Sequence, residues 1–249
     1  MIRELLERGE ASHPAVTVAG EGPAVTYDGL RRQVDALARG LRALGINRGD
    51  RVAMALPNGF EMLASFLAAA TAATAAPLNP AYKLEEFRFY LEDTGARALI
   101  VPPRGAAEAR AAAAPETLII EADLDADGHV RLQAAGPSAA EPPAAAGRDS
   151  DDIALVLHTS GTTSRPKRVP LSHANLAASA RTVAGTYGLT HADVSLCVMP
   201  LFHVHGLVAS ALATLATGGT LVLVPRFNPL SFWATAGEHR ATWYSAVPT

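Results

Sequence analysis

The densest chemistry in the chain lies between His158 and Arg168, in the order H-T-S-G-T-T-S-R-P-K-R. Thr159, Ser160, Thr162 and Thr163 supply hydroxyls, Gly161 lets backbone N–H groups come close to an anion, and Lys167 adds a compact positive charge. Such a set suits a polyphosphate. The spacing from Gly161 to Lys167 invites comparison with G-x-x-x-x-G-K-[ST], but Pro166 replaces the second glycine and Arg168 replaces the final hydroxyl residue, which excludes a Walker-type loop. A Ser-His hydrolase fits poorly too, because Ser160 and Ser164 lie outside a G-x-S-x-G elbow. On composition alone the alternative is a solvated Ser/Thr/Gly turn.

A second candidate group is His203 and His205 in P-L-F-H-V-H-G-L, residues 200–207. Alternate residues of an extended segment share a face, so the two imidazoles could meet one ligand. No third metal ligand lies near them in sequence, and no metal site is assigned. The single cysteine, Cys197, falls in the apolar run Val194–Met199 and reads as a small core residue that cannot form an internal disulfide.

The elements that would position these groups alternate between strand and helix signals. Ile153–Leu157 is a continuous apolar run of strand length, so the hydroxyl-rich segment begins where a buried strand emerges. Leu30, Val34, Leu37, Ala38, Leu41 and Leu44 recur at helical spacing and Gly45 ends that helix. Residues 51–56 read as a strand, with Asn58 as the cap of a helix running to about Thr74 and Glu61 as its capping carboxylate. Further helices are predicted over 84–94, 173–187 and 207–216, and strands over 98–101, 117–120, 194–199, 220–224 and 241–247. The pattern is that of an α/β protein with mostly parallel sheets covered by helices, in two lobes. The first lobe is expected over 1–133, a Pro/Ala/Gly-rich connection over 134–152, and the second lobe, incomplete at its C-terminus, over 153–249.

Composition narrows the function. At 249 residues, 49% hydrophobic and 18% charged, the chain can bury a sizeable core. A formal charge of −3 argues against nucleic acid as a partner. The N-terminus interleaves charge with its few apolar residues, so no secretory signal is read. The Ala/Thr-rich stretch Met62–Leu78 falls short of the roughly 20 strongly apolar residues of a membrane span. With its lone cysteine, the chain is expected to be cytoplasmic.

The loop T-S-G-T-T-S-R-P-K-R resembles the signature of adenylate-forming enzymes, [ST]-S-G-[ST]-T-G-x-P-K-G, matching it at Thr159 through Thr163, Pro166 and Lys167. Residues 200–207 are similar to the P-x-F-H-x-x-G segment lining the acyl pocket of that family, and W-Y-S-A-V-P-T, residues 243–249, resembles its strand ending in V-P-[TS]. L-P-N-G-x-E, A-P-L-N-P-A-Y and F-x-F-Y-L-E-D-T-G-A resemble early segments of acyl-CoA synthetases, so the likeness covers essentially the whole chain. Ser164 in place of the usual glycine and the H-V-H-G form look most like the oxalate-CoA ligase branch.

The resemblance implies an acid–thiol ligase using ATP, Mg2+ and coenzyme A on a small-molecule carboxylate. The carboxylate attacks the α-phosphorus, pyrophosphate leaves, and the coenzyme A sulfur then displaces AMP from the acyl-adenylate. It implies that Thr159, Ser160, Gly161, Thr162, Thr163, Ser164 and Lys167 hold the nucleotide phosphates, that Lys167 and His203 serve the reaction, and that His203 and His205 border the carboxylate. The family's adenine-contacting, magnesium-binding and C-terminal catalytic segments would lie beyond Thr249, so the chain is expected to be an N-terminal portion, inactive alone, whose partner is the C-terminal remainder. Two other readings stay open: a non-catalytic nucleotide-binding or interaction module, and an adenylation domain loading a carrier protein. Arg168 departs from the glycine of most relatives, a position where positive φ or close packing would make a side chain cost on the order of 1 kcal/mol, with reduced turnover expected, although its guanidinium could also add a phosphate-binding fork.

Overall fold

The computed structural model describes residues 1–20, 22–134, 149–159 and 166–247. A 3-10 helix, Arg3–Arg8, precedes β1 (Pro14–Val18), β2 (Ala24–Thr26) and α1 (Tyr27–Ala43). Then come β3 (Arg51–Met54), α2 (Phe60–Ala72), β4 (Thr74–Pro77), α3 (Leu84–Thr94), β5 (Ala98–Val101), α4 (Ala107–Ala112), β6 (Leu118–Leu124) and β7 (Val130–Ala134). The rest comprises β8 (Ile153–Thr159), β9 (Lys167–Ser172), α5 (His173–Thr186), β10 (Val194–Cys197), a π-helical stretch His205–Leu212 running into α6 (Ala213–Leu215), β11 (Thr220–Leu223), α7 (Phe232–Glu238) and β12 (Trp243–Tyr244).

Two sheets carry the fold, ordered β12-β10-β11-β1-β2 and β7-β6-β5-β3-β4-β8-β9. Pairing is parallel except for the local pairs β1–β2, β6–β7 and β8–β9. This is the α/β architecture expected from the alternating pattern. The sheets do not respect the expected boundary at 134–152: β1 and β2 pair with strands of the later half, while β8 and β9 extend the sheet of the earlier half. Val16 lies against Leu221 and Ala75 against Leu155, so each sheet closes only when both halves of the chain are present. Most of the expected connection, 135–148, lies outside the described residues.

Strand periodicity explains how the seven-stranded sheet buries both faces. Val52 and Met54 of β3 face one core, with α1, α2 and α5, while Ala53 and Ala55 face the other, with Phe87 and Leu91 of α3 and Ala109 of α4. Helix α2 is buried nearly all round, from Phe60 to Ala72, which is why its sequence shows no polar face. It stops at Ala72, and Thr74-Ala75-Ala76-Pro77 forms the buried strand β4, although alanine favours helix. Pairing with both β3 and β8 supplies the backbone partners that override that propensity.

Local chemistry fixes the ends of several elements. Thr26 Oγ1 accepts the N–H of Gly29 at 3.2 Å and starts α1. Ser172 and Asn175 form a reciprocal capping pair at the head of α5. Gly95 ends α3 in the left-handed conformation, φ 61°. The Asp127-Gly128 turn leads into β7, a strand where the sequence pattern had faded. The strand expected over 241–247 pairs only at Trp243 and Tyr244.

Candidate functional site

The carboxyl ends of the parallel strands from both sheets meet, and Asn58 joins them. It follows β3, and its side-chain Oδ1 accepts the N–H of Leu201 at 2.9 Å while Nδ2 donates to the carbonyl of Val224 at 2.9 Å. Leu201 follows β10 and Val224 follows β11, so one amide ties the seven-stranded sheet to two strands of the other. Asn58 therefore does not cap α2: the N-cap is Gly59, and no side chain caps it. The two partners lie more than a hundred residues away in sequence, so no local pattern points to this role.

Strand β8 ends at Thr159, and the antiparallel register of β8 with β9 sets Thr159 opposite Lys167 and His158 opposite Arg168. Thr159 and Lys167 are both exposed. Ser160, Gly161, Thr162, Thr163 and Ser164 lie outside the described residues; Thr159 and Lys167 are the two posts between which they run. His158 is turned inward with its side chain 5% exposed, and Nε2 donates to Asp93 Oδ2 at 2.9 Å. Arg168 Nη1 donates to the backbone carbonyl of Asp93, and its Nε is 4.0 Å from Asp93 Oδ2. Arg168 lies in regular strand β9 and is not among the described non-glycine residues with positive φ, so the backbone cost expected there does not arise.

The second candidate group sits at the start of the π-helical stretch. His205 Nε2 and Ser245 Oγ are hydrogen-bonded at 2.7 Å, joining this stretch to the end of β12. His205 also borders a mostly apolar groove of about 320 Å³, with Leu171, Leu176, Val183, Val204 and Val208 among its walls. His203 is exposed, and its ring packs on Phe202 with centroids 4.5 Å apart. Although the residue is open to water, partial desolvation lowers its imidazole pKa below the usual histidine value. Its carbonyl accepts the N–H of Leu207 at 3.0 Å, so it enters the helix through its backbone. Gly206 packs directly on the preceding turn: a Cβ there would lie 2.4 Å from the carbonyl oxygen of Pro200 and 2.6 Å from that of Met199. The helix expected over 207–216 thus begins earlier and opens with eight residues of π-helix, a rare form that recurs at functional sites.

Among the described residues no hydrogen bond or ion pair links Thr159 or Lys167 to His203 or His205. They form two separate groups, one on β8 and β9, the other after β10. A larger surface depression of about 920 Å³, bordered by Arg88, Glu92, Arg97 and Glu116, holds none of Thr159, Lys167, His203 and His205, and the chemistry rather than the size identifies the site. Cys197 is fully buried, and burial pushes its thiol pKa up to about 11, which removes it as a nucleophile at neutral pH. No helix among the described residues is long and apolar enough to cross a membrane.

Metal-ligand geometry occurs elsewhere. Among the described residues, Asp125, Asp127 and His129 bring ligand atoms within 4.8 Å of one another. They form the β6–β7 turn, at the opposite edge of the seven-stranded sheet from β8 and β9. Asp125 is already engaged by the N–H groups of Asp127 and His129 and by Arg131 Nε, which pull its carboxyl pKa down.

Parallel strands from two sheets, joined beyond their carboxyl ends through Asn58, define an α/β protein, and open sheets of this kind bind ligands beyond those ends. The family model described as AMP-binding enzyme matches residues 6–249, and the chain belongs to that family. It is 43% identical over 242 residues to a probable CoA ligase, CCL9, of Humulus lupulus, covering 94% of this chain and 46% of that protein. It is 44% identical over 220 residues to an oxalate–CoA ligase of Arabidopsis thaliana, covering 86% of this chain and 43% of the relative. The ATP-bound crystal structure of MatB from Rhodopseudomonas palustris superposes with a TM-score of 0.80 at 30% identity, covering 98% of this chain and 48% of MatB. The chain thus spans about half the length of the curated relatives it matches.

Proposed function

We propose that the chain is the N-terminal portion of an ATP-dependent acyl-CoA synthetase, in which it binds the nucleotide phosphates and borders the carboxylate. The observation that carries this reading is the pairing of Thr159 with Lys167 at the mouth of β8, in a chain matched by the AMP-binding family model over nearly all its length. A hairpin of this kind fixes both ends of a hydroxyl-rich loop next to a cation. Thr159, Ser160, Gly161, Thr162, Thr163 and Ser164 would surround the phosphate oxygens, and Lys167 would offset charge on the leaving pyrophosphate. MatB, whose crystal structure contains ATP, supports ATP as the nucleotide.

In the first half-reaction a carboxylate oxygen bonds to the α-phosphorus as the bond to pyrophosphate breaks. In the second, the coenzyme A sulfur bonds to the acyl carbon as AMP leaves. His203 and His205 would border the carboxylate. The lowered pKa of His203 keeps its ring neutral at pH 7, so it would meet the substrate as a hydrogen-bonding group and not as a full cation. Magnesium would screen the phosphate charge.

The carboxylate itself is proposed to be oxalate, on the Ser164 and His203-Val204-His205-Gly206 pattern and the likeness to the Arabidopsis oxalate–CoA ligase. ATP–pyrophosphate exchange tests the whole reading, using this chain joined to the remaining half of its relatives' length and a panel of oxalate, short fatty acids and aryl acids. Exchange with oxalate alone is the expected result. Exchange only with the others would remove the oxalate reading, and no exchange with any would remove the ligase reading. The 249-residue chain by itself should form no acyl-hydroxamate from ATP, magnesium, carboxylate and hydroxylamine.

A further inference from the structure

We propose that Asp93, at the C-terminal end of α3, is a positioning residue for Thr159 and Lys167, the facing pair at the end of the β8–β9 ladder, and that Arg168 is the outer arm of the same clasp. The inference rests on the phosphate-loop reading given above. His158 and Arg168 are the residues immediately outside Thr159 and Lys167, and they face each other across the β8–β9 ladder. Both reach the same aspartate. His158 Nε2 donates to Asp93 Oδ2 at 2.9 Å, while Arg168 Nη1 donates to the Asp93 carbonyl and its Nε approaches Oδ2 at 4.0 Å.

The two arms differ in rigidity. The His158 side chain is 5% exposed and sits edge-on to Tyr90, with ring centroids 4.8 Å apart, and near Phe89 at 6.4 Å. These aromatic residues belong to α3, so packing and hydrogen bond together give His158 one orientation on that helix. Arg168 is about half exposed and makes the looser contact, but its guanidinium meets the carbonyl end of α3, where a cation is favoured. Asp93 therefore fastens the last residue before the loop and the first residue after it to one rigid helix.

Fixing both posts lowers the ordering cost of anion binding. Groups that must be ordered at the moment of binding lose that free energy from the affinity, and groups already held, as Thr159 and Lys167 are through their neighbours, lose less. Asp93 needs no contact with the nucleotide for this. The same geometry gives Arg168 a role: where a glycine leaves β9 without a side-chain tether, arginine ties it to α3.

The test uses the 249-residue chain and magnesium tripolyphosphate as the probe of the loop, followed by amide shift changes in NMR titrations, with thermal unfolding measured in parallel. Asp93→Ala should weaken binding about tenfold, the loss of one hydrogen bond to a charged group, while the thermal midpoint falls by less than about 4 °C. Asp93→Asn keeps an acceptor oxygen and should return affinity to within about threefold of the unaltered chain. Unchanged affinity in Asp93→Ala would overturn the proposal. So would an Asp93→Asn chain as weak as Asp93→Ala, because rescue by the acceptor oxygen is what separates positioning from general loosening. An unaltered chain that does not bind the probe would sink the phosphate-loop reading first, and this proposal with it.

Discussion

Asn58 and Leu201 are 143 residues apart, yet the Asn58 side-chain oxygen accepts the Leu201 N–H at 2.9 Å while its nitrogen donates to Val224. This amide joins the start of the P-L-F-H-V-H-G segment to the loop after β3. Asn58→Ala would leave a part-buried N–H and a carbonyl without that partner, at a cost of about 2 kcal/mol. Urea unfolding of the chain measures it. Asn58→Asp keeps the acceptor but sets a carboxylate beside the Val224 carbonyl, so it should recover only part of the loss.

Gly206 and Gly40 make a controlled pair. An alanine Cβ at 206 would press into the carbonyl oxygens of Pro200 and Met199, whereas at 40, inside α1, it would meet nothing within 4 Å. Gly206→Ala should destabilise by about 1–3 kcal/mol, and Gly40→Ala should stabilise by about 0.5–1 kcal/mol through helix propensity. Equal effects in denaturant unfolding would show that contact with the Pro200 turn does not matter.

Cys197 gives a pH dependence with a definite sign. Burial raises its thiol pKa from an ordinary value near 9 to about 11, so the folded state holds its proton over a range where the unfolded state has lost it. The associated stability is complete below about pH 9 and disappears as the pH rises through about 11. Between pH 8 and about pH 10.5 the unaltered chain should lose on the order of 2 kcal/mol more than Cys197→Ala does. Thiol labelling at pH 8 should follow global unfolding.

Much of the fold was legible because its signals are local. Gly45 and the apolar runs of β5, β8, β10 and β11 each occupy a few consecutive residues. The loop at 159–167 was legible for the same reason, since its chemistry is contiguous. β4 was not, because Thr74-Ala75-Ala76-Pro77 becomes a strand only between β3 and β8. The interleaving of the two sheets, the bridge at Asn58 and the hold of Asp93 on His158 depend on residues brought together from distant parts of the chain. The likeness of F-x-F-Y-L-E-D-T-G-A to the family located Asp93 but could not say what it touches.

The hydrogen bond between His205 and Ser245 separates the two groups experimentally. Its 2.7 Å contact holds an imidazole at the edge of the apolar groove, whose walls include Val204 of the P-L-F-H-V-H-G segment and Leu171 of β9. In the chain joined to the rest of the fold, Ser245→Ala frees that ring and should raise KM for the carboxylate about threefold, the worth of one neutral hydrogen bond, with KM for ATP unchanged. Lys167→Ala should do the reverse, raising KM for ATP and leaving the carboxylate term nearly alone. Pyrophosphate exchange with each substrate varied in turn reads both. If Ser245→Ala moved the ATP term as much as the carboxylate term, the groove beside His205 would not be the carboxylate side of the site.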